Sequence, residues 1–548
     1  MNKKPKKSES LVKSGIQLSI LTLFSRIMGL IREMTRASFL GTSIFADTFS
    51  TAFVIPNFFR RLFAENSITV AFIPTFKEYL SKGNDDENKR STQEFLNSIF
   101  TLITFLTAIV VVIGVLIMPL ISPFFCKIPS DINDPSYTLM ILKRDELTFL
   151  TRIMFPYLFT ISIAAFFQGI LNGCKIFAPS GFTPVLFNGI VVLATYLLTP
   201  LFKTDDNAAI AMSIGVVIGG TVQALFQLPF VLKTGWKVAF TGVKKAIANP
   251  GTKKVIALIL PTIIGMAAYQ VNDAVSTLLA NRAAEGIASS LQYSLRLQEL
   301  ILGIFAVSIG TVILPDLSGL ANEKKWSEFN NMLIQAIKII TMITIPVTFY
   351  SIINGKEMIS LLYKSNKFTD ESVLLTLGEF KFHIAGLFFI AVNRIISPAF
   401  YAQGNTKLPT LAGIISFVSN TLLALVLVFP MGGNGIALAL TIASIVNTIF
   451  LFLFMKKMNS IEFKKIVKVT LLYIVKLIIF SIVASIPCYL LRPYLVEKFS
   501  LHTKLISQGL PLLISLAIFL TIGILELLLS KDSTIMILIN KILKKVKK

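Results

Sequence analysis

Stretches of about 20 apolar residues, each long enough to cross a hydrocarbon core of about 30 Å as a helix, recur from one end of the chain to the other. About fourteen can be delimited by their hydrophobic pattern. They cover residues 14–38, 46–80, 95–124, 146–172, 181–202, 208–233, 253–281, 290–319, 330–354, 374–402, 407–430, 433–457, 464–492 and 505–530. Polar positions between them are few. The longest polar loops are 81–94 and 125–145, and the stretch 234–254 is long and basic. The pattern predicts an all-α polytopic membrane protein with no sizeable soluble domain.

Composition agrees with the pattern. Of 548 residues, 54% are hydrophobic and only 15% charged, where a soluble protein carries about a quarter; the mean hydropathy is +0.75. The net charge of +23 raises the question of nucleic acid, and its placement answers it. Lysines gather at both ends and in short loops: Lys3 to Lys7, Lys233 to Lys254, Lys456 to Lys468 and Lys541 to Lys548. Short basic loops mark the cytoplasmic side, and an even number of spans puts both termini there. Topology and attraction to anionic membrane lipids account for these lysines, so nucleic acid is not an expected partner. The basic start is read as the anchor of a retained first helix, because no small-residue cleavage pattern follows the first span.

Cys126, Cys174 and Cys488 have no metal or redox spacing, and His383 and His502 are isolated. The cysteines are expected to be structural thiols, and the histidines are too few for a metal site. No Ser/His/Asp set, paired-carboxylate motif or phosphate-cradling glycine loop stands out, so neither an enzyme nor ATP coupling within the chain is expected.

A weak internal echo runs through the first twelve spans. Gln168 to Lys175, followed by Pro179, is similar to Tyr401 to Lys407, followed by Pro409. Each corner leads into a span with an interior asparagine, Asn188 and Asn420. Two six-span repeats of one orientation would produce this, as would chance similarity of two corners. On the repeat reading, 1–13 is a basic cytoplasmic terminus, 14–233 a first lobe and 234–254 a basic linker. A second lobe then covers 255–457, two further helices 464–530, and a basic tail 531–548.

The informative residues are charges inside spans, mostly arginines. On a helix at about 100° per residue, Glu33, Arg36 and Arg32 lie at about −20°, −80° and −120° from Arg26. Ser19, Thr22, Ser25 and Gly29 share that side. Arg26 lies about 18 Å along the first span, at mid-membrane depth, where a charge costs at least a few kcal/mol and so marks a watery path. Ion pairing such as Glu33 with Arg36 would account for one pair and leave Arg26 and Arg32 in excess. The second span carries Asp47 at its outer end and Asn57, Arg60, Arg61 and Glu65 further in. Arg61 and Glu65, four apart, are placed to pair, and Arg60 points away from them. Pro56 and Pro74 interrupt this helix, which is tolerated where backbone lines protein or water. In the eighth span Tyr293, Arg296 and Glu299 form one stripe, and Glu299 has a structural role neutralising Arg296 as its alternative. Arg152 and Arg394 suit snorkelling to an interface. Asn272 and Asp273 suit either a cation or helix–helix hydrogen bonding. Guanidinium stays charged and presents a fork that matches phosphate, so the arginines point to a carrier for a large, phosphorylated anion.

These motifs resemble the MurJ (MviN) lipid II flippases of the multidrug/oligosaccharidyl-lipid/polysaccharide (MOP) exporter superfamily. The likeness is carried by Phe24-Ser25-Arg26…Gly29…Arg32 and by Asp47-Thr48-Phe49…Pro56-Asn57-Phe58-Phe59-Arg60-Arg61-Leu62-Phe63-Ala64-Glu65 with Ala71-Phe72-Ile73-Pro74. Tyr293-Ser294-Leu295-Arg296-Leu297-Gln298-Glu299 and Phe400-Tyr401-Ala402…Gly404-Asn405-Thr406-Lys407…Pro409 extend it over essentially the whole chain. The resemblance implies two six-helix lobes in a MATE-like V around a cationic cavity, with two C-terminal helices bordering a hydrophobic groove. It implies carriage of the undecaprenyl-diphosphate-linked peptidoglycan precursor, lipid II, from the inner to the outer leaflet of the bacterial cytoplasmic membrane by alternating access. Arg26, Arg32, Arg60 and Arg296 correspond to the substrate-binding arginines and Asp47 to the acid opening the second helix. Ser25, Glu33, Asn57, Arg61, Glu65, Tyr293 and Glu299 are expected in supporting or gating roles. Two departures stand out. Glu33 replaces a frequent aspartate, and a helix-seven aspartate that some members associate with sodium corresponds to Ser276, with Asp273 one turn earlier. No cofactor is expected, Asp273 is the one weak metal candidate, and coupling to membrane potential or a monovalent cation stays open. Lipid II, membrane lipids and the cell-wall synthesis machinery are the partners implied. The alternative is an exporter of another polyprenyl-linked glycan or of a drug.

Overall fold

The computed structural model describes the backbone of residues 6–65, 68–83, 85–126 and 128–536. Side chains are described there except for 6–19, 63–65, 69–70, 260–269, 304–312 and 314–315. The described residues are overwhelmingly helical and contain no strand. Ten helical runs among them are long and apolar enough to cross a membrane. Their outward faces are greasy: Leu116 and Leu120, Leu197, Phe429 and Leu490 are all more than half exposed. In lipid a helix satisfies its own backbone and needs no polar exterior. Four of the expected spans, the first, second, seventh and eighth, are not in that set, and they are the ones carrying Arg26, Arg60, Asp273 and Arg296.

The chain divides into two compact units at Ser289 and Ser290. The first contains α1 (Lys6–Leu40), α2 (Ile44–Phe59), α3 (Ile73–Ser81), α4 (Asp86–Phe125), α5 (Tyr137–Met154) and α6 (Pro156–Gly173). It continues with α7 (Ala178–Leu198), α8 (Asn207–Lys233), α9 (Val243–Ala248) and α10 (Pro250–Ala283). Between α2 and α3 the helix widens into π turns at Arg60–Glu65 and Ile68–Phe72. Pro56 and Pro74 flank this stretch; each lacks the N–H that an α-helical ladder needs. One core of this unit gathers Phe49, Met118, Leu150, Met154 and Phe187. The other is aromatic, with Phe72 stacked on Phe76 and Phe95 at 5.6 and 5.8 Å.

Two expected loops are shorter than the hydropathy pattern implies. α4 begins at Asp86, inside 81–94, and α5 at Tyr137, inside 125–145. Polar first turns at helix ends hide from a hydropathy window. The basic stretch after α8 is held as an extended strap along α4. Gln93 exchanges hydrogen bonds with the Lys237 backbone at 2.6 and 3.0 Å, Asn97 accepts from Ala239 N–H and Thr101 from Thr241 N–H. A four-residue helical step of about 6 Å matches two extended residues at about 6.7 Å. α10 starts at an Asn249 cap, whose side chain accepts from Gly251 and Thr252 N–H. It belongs to the first unit, one helix beyond the 234–254 boundary that the charge pattern marks. Asn281 Nδ2 on Thr51 Oγ1 at 2.6 Å is one of the bonds holding it there.

The second unit runs through α11 (Ile287–Asn322), α12 (Trp326–Tyr363), α13 (Asp370–Ala385), α14 (Leu387–Tyr401), α15 (Lys407–Met431), α16 (Gly433–Met455), α17 (Phe463–Lys498) and α18 (Leu510–Leu529). α17 packs on α12 and α18. Polar clamps hold this corner: Arg492 to Glu357 at 2.9 Å, Tyr350 Oη to Leu512 O at 2.8 Å and Ser515 Oγ to Asn354 at 3.1 Å. After α18 the chain turns back to α17, where Asp532 accepts from Lys476 at 2.7 Å and Tyr473 at 3.3 Å. Residues 1–5 of the expected N-terminal segment 1–13, and 537–548 of the basic tail 531–548, lie outside the described residues, while 6–13 begin α1.

The two corners of the sequence echo close identically. Ile176 N–H bonds Leu171 O and Lys175 N–H bonds Asn172 O; Asn405 N–H bonds Phe400 O and Gly404 N–H bonds Tyr401 O. This is the Schellman ending, and its left-handed position is Lys175 (φ 63°) in one corner and Gly404 (φ 72°) in the other. The interior asparagine after the first corner reaches its own turn at Pro184 O, 2.9 Å, and Ser25 O of α1, 3.5 Å.

Candidate substrate-binding site

The polar side of α1 is built around one acid. Glu33, 4% exposed, takes Arg32 at 2.7 Å on one carboxylate oxygen and Arg36 at 3.1 Å on the other. The sequence left Arg32 in excess of its acids; in the structure both neighbouring guanidiniums converge on Glu33, and the trio keeps a net charge of +1. Arg32 also lies 5.8 and 5.9 Å from the rings of Phe53 and Phe187. Those quadrupoles favour a cation. Arg26, two turns earlier, is half-buried.

On the second helix the π turn places Arg60 and Arg61. Arg60 Nε donates to Asn57 Oδ1 at 2.6 Å, three residues back. The Glu65 side chain, the partner expected for Arg61, lies outside the described residues. Arg61 reaches α10, donating to Gln270 Oε1 at 3.0 Å and Asp273 Oδ2 at 2.9 Å. Asp273, the weak metal candidate, is therefore a guanidinium partner. Ser276, one turn on, is half-buried. Among the described residues no three His, Cys, Asp or Glu side chains group to hold a metal ion.

Asp47 is more deeply placed than an outer-end residue should be. It has no exposure and accepts from Lys143 Nζ at 3.1 Å, Gly286 N–H at 2.8 Å and Ser289 N–H at 2.9 Å. A buried carboxylate needs this many donors to offset lost hydration. Sequence reasoning missed Lys143, which sat in the presumed loop 125–145. A signal existed: Lys143 lies in helical register with Leu147, Leu150 and Met154, all buried.

In the second unit the α11 stripe splits by role. Tyr293 is fully buried, its ring 5.1 and 5.3 Å from those of Tyr363 and Phe368. Arg296 and Glu299 pair at 2.8 Å, both about half exposed. The arrangement in each unit is thus a guanidinium held by a carboxylate or amide yet still reachable by water, a geometry in which an incoming anion can compete for the fork.

The long apolar helices, with guanidiniums set among them, are those of a multi-pass membrane transporter. The chain belongs to the lipid II flippase MurJ family, whose family model matches residues 36–525. It is 45% identical to the probable lipid II flippase MurJ of Treponema pallidum, over 96% of this chain and 97% of that one. The Vibrio cholerae relative of the same description is 33% identical over 81% and 83%. Among solved structures, lipid II flippase MurJ in an inward closed conformation superposes with a TM-score of 0.76 at 26% identity, covering 94% of this chain and 99% of that one. An inward-facing MATE-family multidrug transporter of the MOP superfamily, at 14% identity, 83% and 99% coverage and a TM-score of 0.62, shares the fold. Family and spans together make this a multi-pass inner-membrane protein.

Proposed function

We propose that this protein is a lipid II flippase, carrying undecaprenyl-diphosphate-linked peptidoglycan precursor from the inner to the outer leaflet by alternating access. The observation that carries the reading is 45% identity to a probable lipid II flippase across 96% of the chain. The chemistry is consistent with it. A diphosphate cannot enter hydrocarbon without replacement of its hydration, and guanidiniums at Arg26, Arg32, Arg60 and Arg296 supply charge and paired donors. Glu33, Asn57 and Glu299 hold three of these side chains in place before cargo arrives. The polyprenyl tail stays in lipid, along the apolar faces of α17 and α18 where Leu472, Ile479, Leu490 and Leu513 are exposed. About fourteen spans, two six-span repeats and cytoplasmic termini complete the proposal. Proteoliposomes loaded with labelled lipid II test it: the wild type moves label between leaflets, and a variant with all four arginines changed to glutamine does not. Equal movement by both, or none by a folded wild type, overturns it.

A further inference from the structure

The arginines leave one buried polar cluster of the second unit unused. On α11, Ser290, Ser294 and Gln298 recur at every fourth residue and so share a face. On α13, Glu379 and His383 are likewise one turn apart. Ser290 Oγ donates to Glu379 Oε1 at 2.8 Å, Ser294 Oγ lies 2.6 Å from His383 Nδ1, and Gln298 Nε2 donates to His383 O. All five side chains are 3% exposed or less. A carboxyl and an imidazole buried together in a membrane span are costly to keep unless they act, and such pairs are the usual carriers of protons across membranes.

We propose that Glu379 and His383 form a proton-binding site that couples the flippase cycle to the proton gradient. The ligand is a proton, the monovalent cation with the least demand for a cavity. It adds to the Glu379 carboxylate or to the His383 imidazole and leaves again, with no other bond made or broken. When Nδ1 carries a proton it donates to Ser294 Oγ; when it does not, Ser294 donates to it. The hydrogen bond reverses, and α11 feels the change. Arg296 lies two residues from both Ser294 and Gln298 on that helix, turned to the other side, where it meets Glu299. A proton on α13 therefore reaches the cargo arginine through the register of α11.

The surroundings are compatible with a proton acting at this pair. α12 faces α13 with Thr348, which bonds Ile384 O, and with Gly355 against Phe380. Of its titratable groups, Glu357 is turned to Arg492, Lys338 to the Tyr473 ring, Tyr350 to Leu512 O and Tyr363 to Tyr293 O, while Glu328 and Lys356 are exposed. α16 carries no charged residue and presents Asn434 and Thr441. On α14 Arg394 is exposed, as are Lys381 and Glu371 on α13, and Asp370 pairs with Lys364. On α11 itself the nearby charges are Arg296 and Glu299, paired with each other, and Asp316 lies exposed near its far end.

The coupling role rests on the flippase reading, and the test separates the two. Hydrogen–deuterium exchange of the purified full-length protein in nanodiscs, without cargo, is compared across about pH 5 to 8. Exchange in the first turns of α11 is expected to change severalfold in the wild type and not in Glu379→Gln. A wild type whose α11 exchange is flat once corrected for intrinsic rates overturns the proton site, whatever the protein transports, and this arm does not depend on the variant folding. In lipid II proteoliposomes with the potential clamped, an imposed pH gradient is expected to shift the wild-type rate severalfold and leave that of His383→Gln unresponsive. Transport that ignores the gradient overturns the coupling and leaves the flippase reading standing. A pH-responsive α11 in a protein that moves no lipid II does the reverse.

Discussion

Lys143 Nζ lies 3.1 Å from Asp47 Oδ2, and neither side chain meets solvent. The pair ties α5 to α2, and Asp47 adds the amides of Gly286 and Ser289 beyond α10. Removing one partner strands the other charge, whereas removing both leaves no uncompensated ion. Lys143→Met is expected to cost about 3–5 kcal/mol of stability, and the double variant Lys143→Met/Asp47→Asn to recover most of it. Thermal unfolding in nanodiscs reads the cycle; additive losses would show that the two are not coupled.

Glu299 is about half exposed and shares its solvent with Arg296. Exposed pairs contribute only about 0–1 kcal/mol, so Glu299→Gln should leave stability nearly unchanged. Its effect is expected in release. With no carboxylate to reclaim Arg296, the diphosphate leaves slowly, and outer-leaflet release of labelled lipid II slows severalfold while binding tightens. Normal release in the variant would remove this role.

Lys175 holds a left-handed backbone where the matching corner has Gly404. That conformation costs a side-chain-bearing residue about 1–2 kcal/mol. Lys175→Gly should therefore stabilise the protein by about 0.5–1 kcal/mol after the added chain entropy of glycine is subtracted. Gly404→Ala should destabilise it. A shift of the same sign for both, measured as denaturation midpoints, would contradict the parallel.

The arginines were legible because a charge in an apolar run is conspicuous and helical angles place it. Their partners were legible only where they are local, as for Arg36 with Glu33 and Arg296 with Glu299. Arg61 reaches Asp273, 212 residues away, a contact that no local spacing offers. Lys143 was hidden because a hydropathy window reads a lysine as solvent even where the flanking Leu147 and Leu150 continue a buried stripe. Fold class followed from the length and number of apolar runs. The packing of α10 with the first unit did not, since it depends on pairs such as Asn281 with Thr51 that no local pattern announces.

Asp532 anchors the segment after α18. Burial alone would raise its carboxyl, but hydrogen bonds from Lys476 and from the Thr534 and Ile535 amides outweigh this and hold it below the ordinary carboxylate value. A group depressed in the folded state stabilises above its unfolded pKa and loses that contribution as pH falls through the folded one. The anchor is therefore expected to hold at neutral pH and to loosen only in acid below the usual carboxylate range. Hydrogen–deuterium exchange of residues 531–536, corrected for intrinsic rates, should show that onset, and protection should already be lost at neutral pH in Asp532→Asn. Exchange independent of both would contradict the anchor.

The central claim is that guanidiniums in two units carry lipid II. It is tested most directly in a bacterium depleted of its own lipid II flippase, complemented with wild type or Arg296→Ala at matched membrane levels. Growth and normal cell shape with the wild type alone is the predicted result. Rescue by both would contradict the role of Arg296, and failure of a well-expressed wild type would contradict lipid II as the cargo.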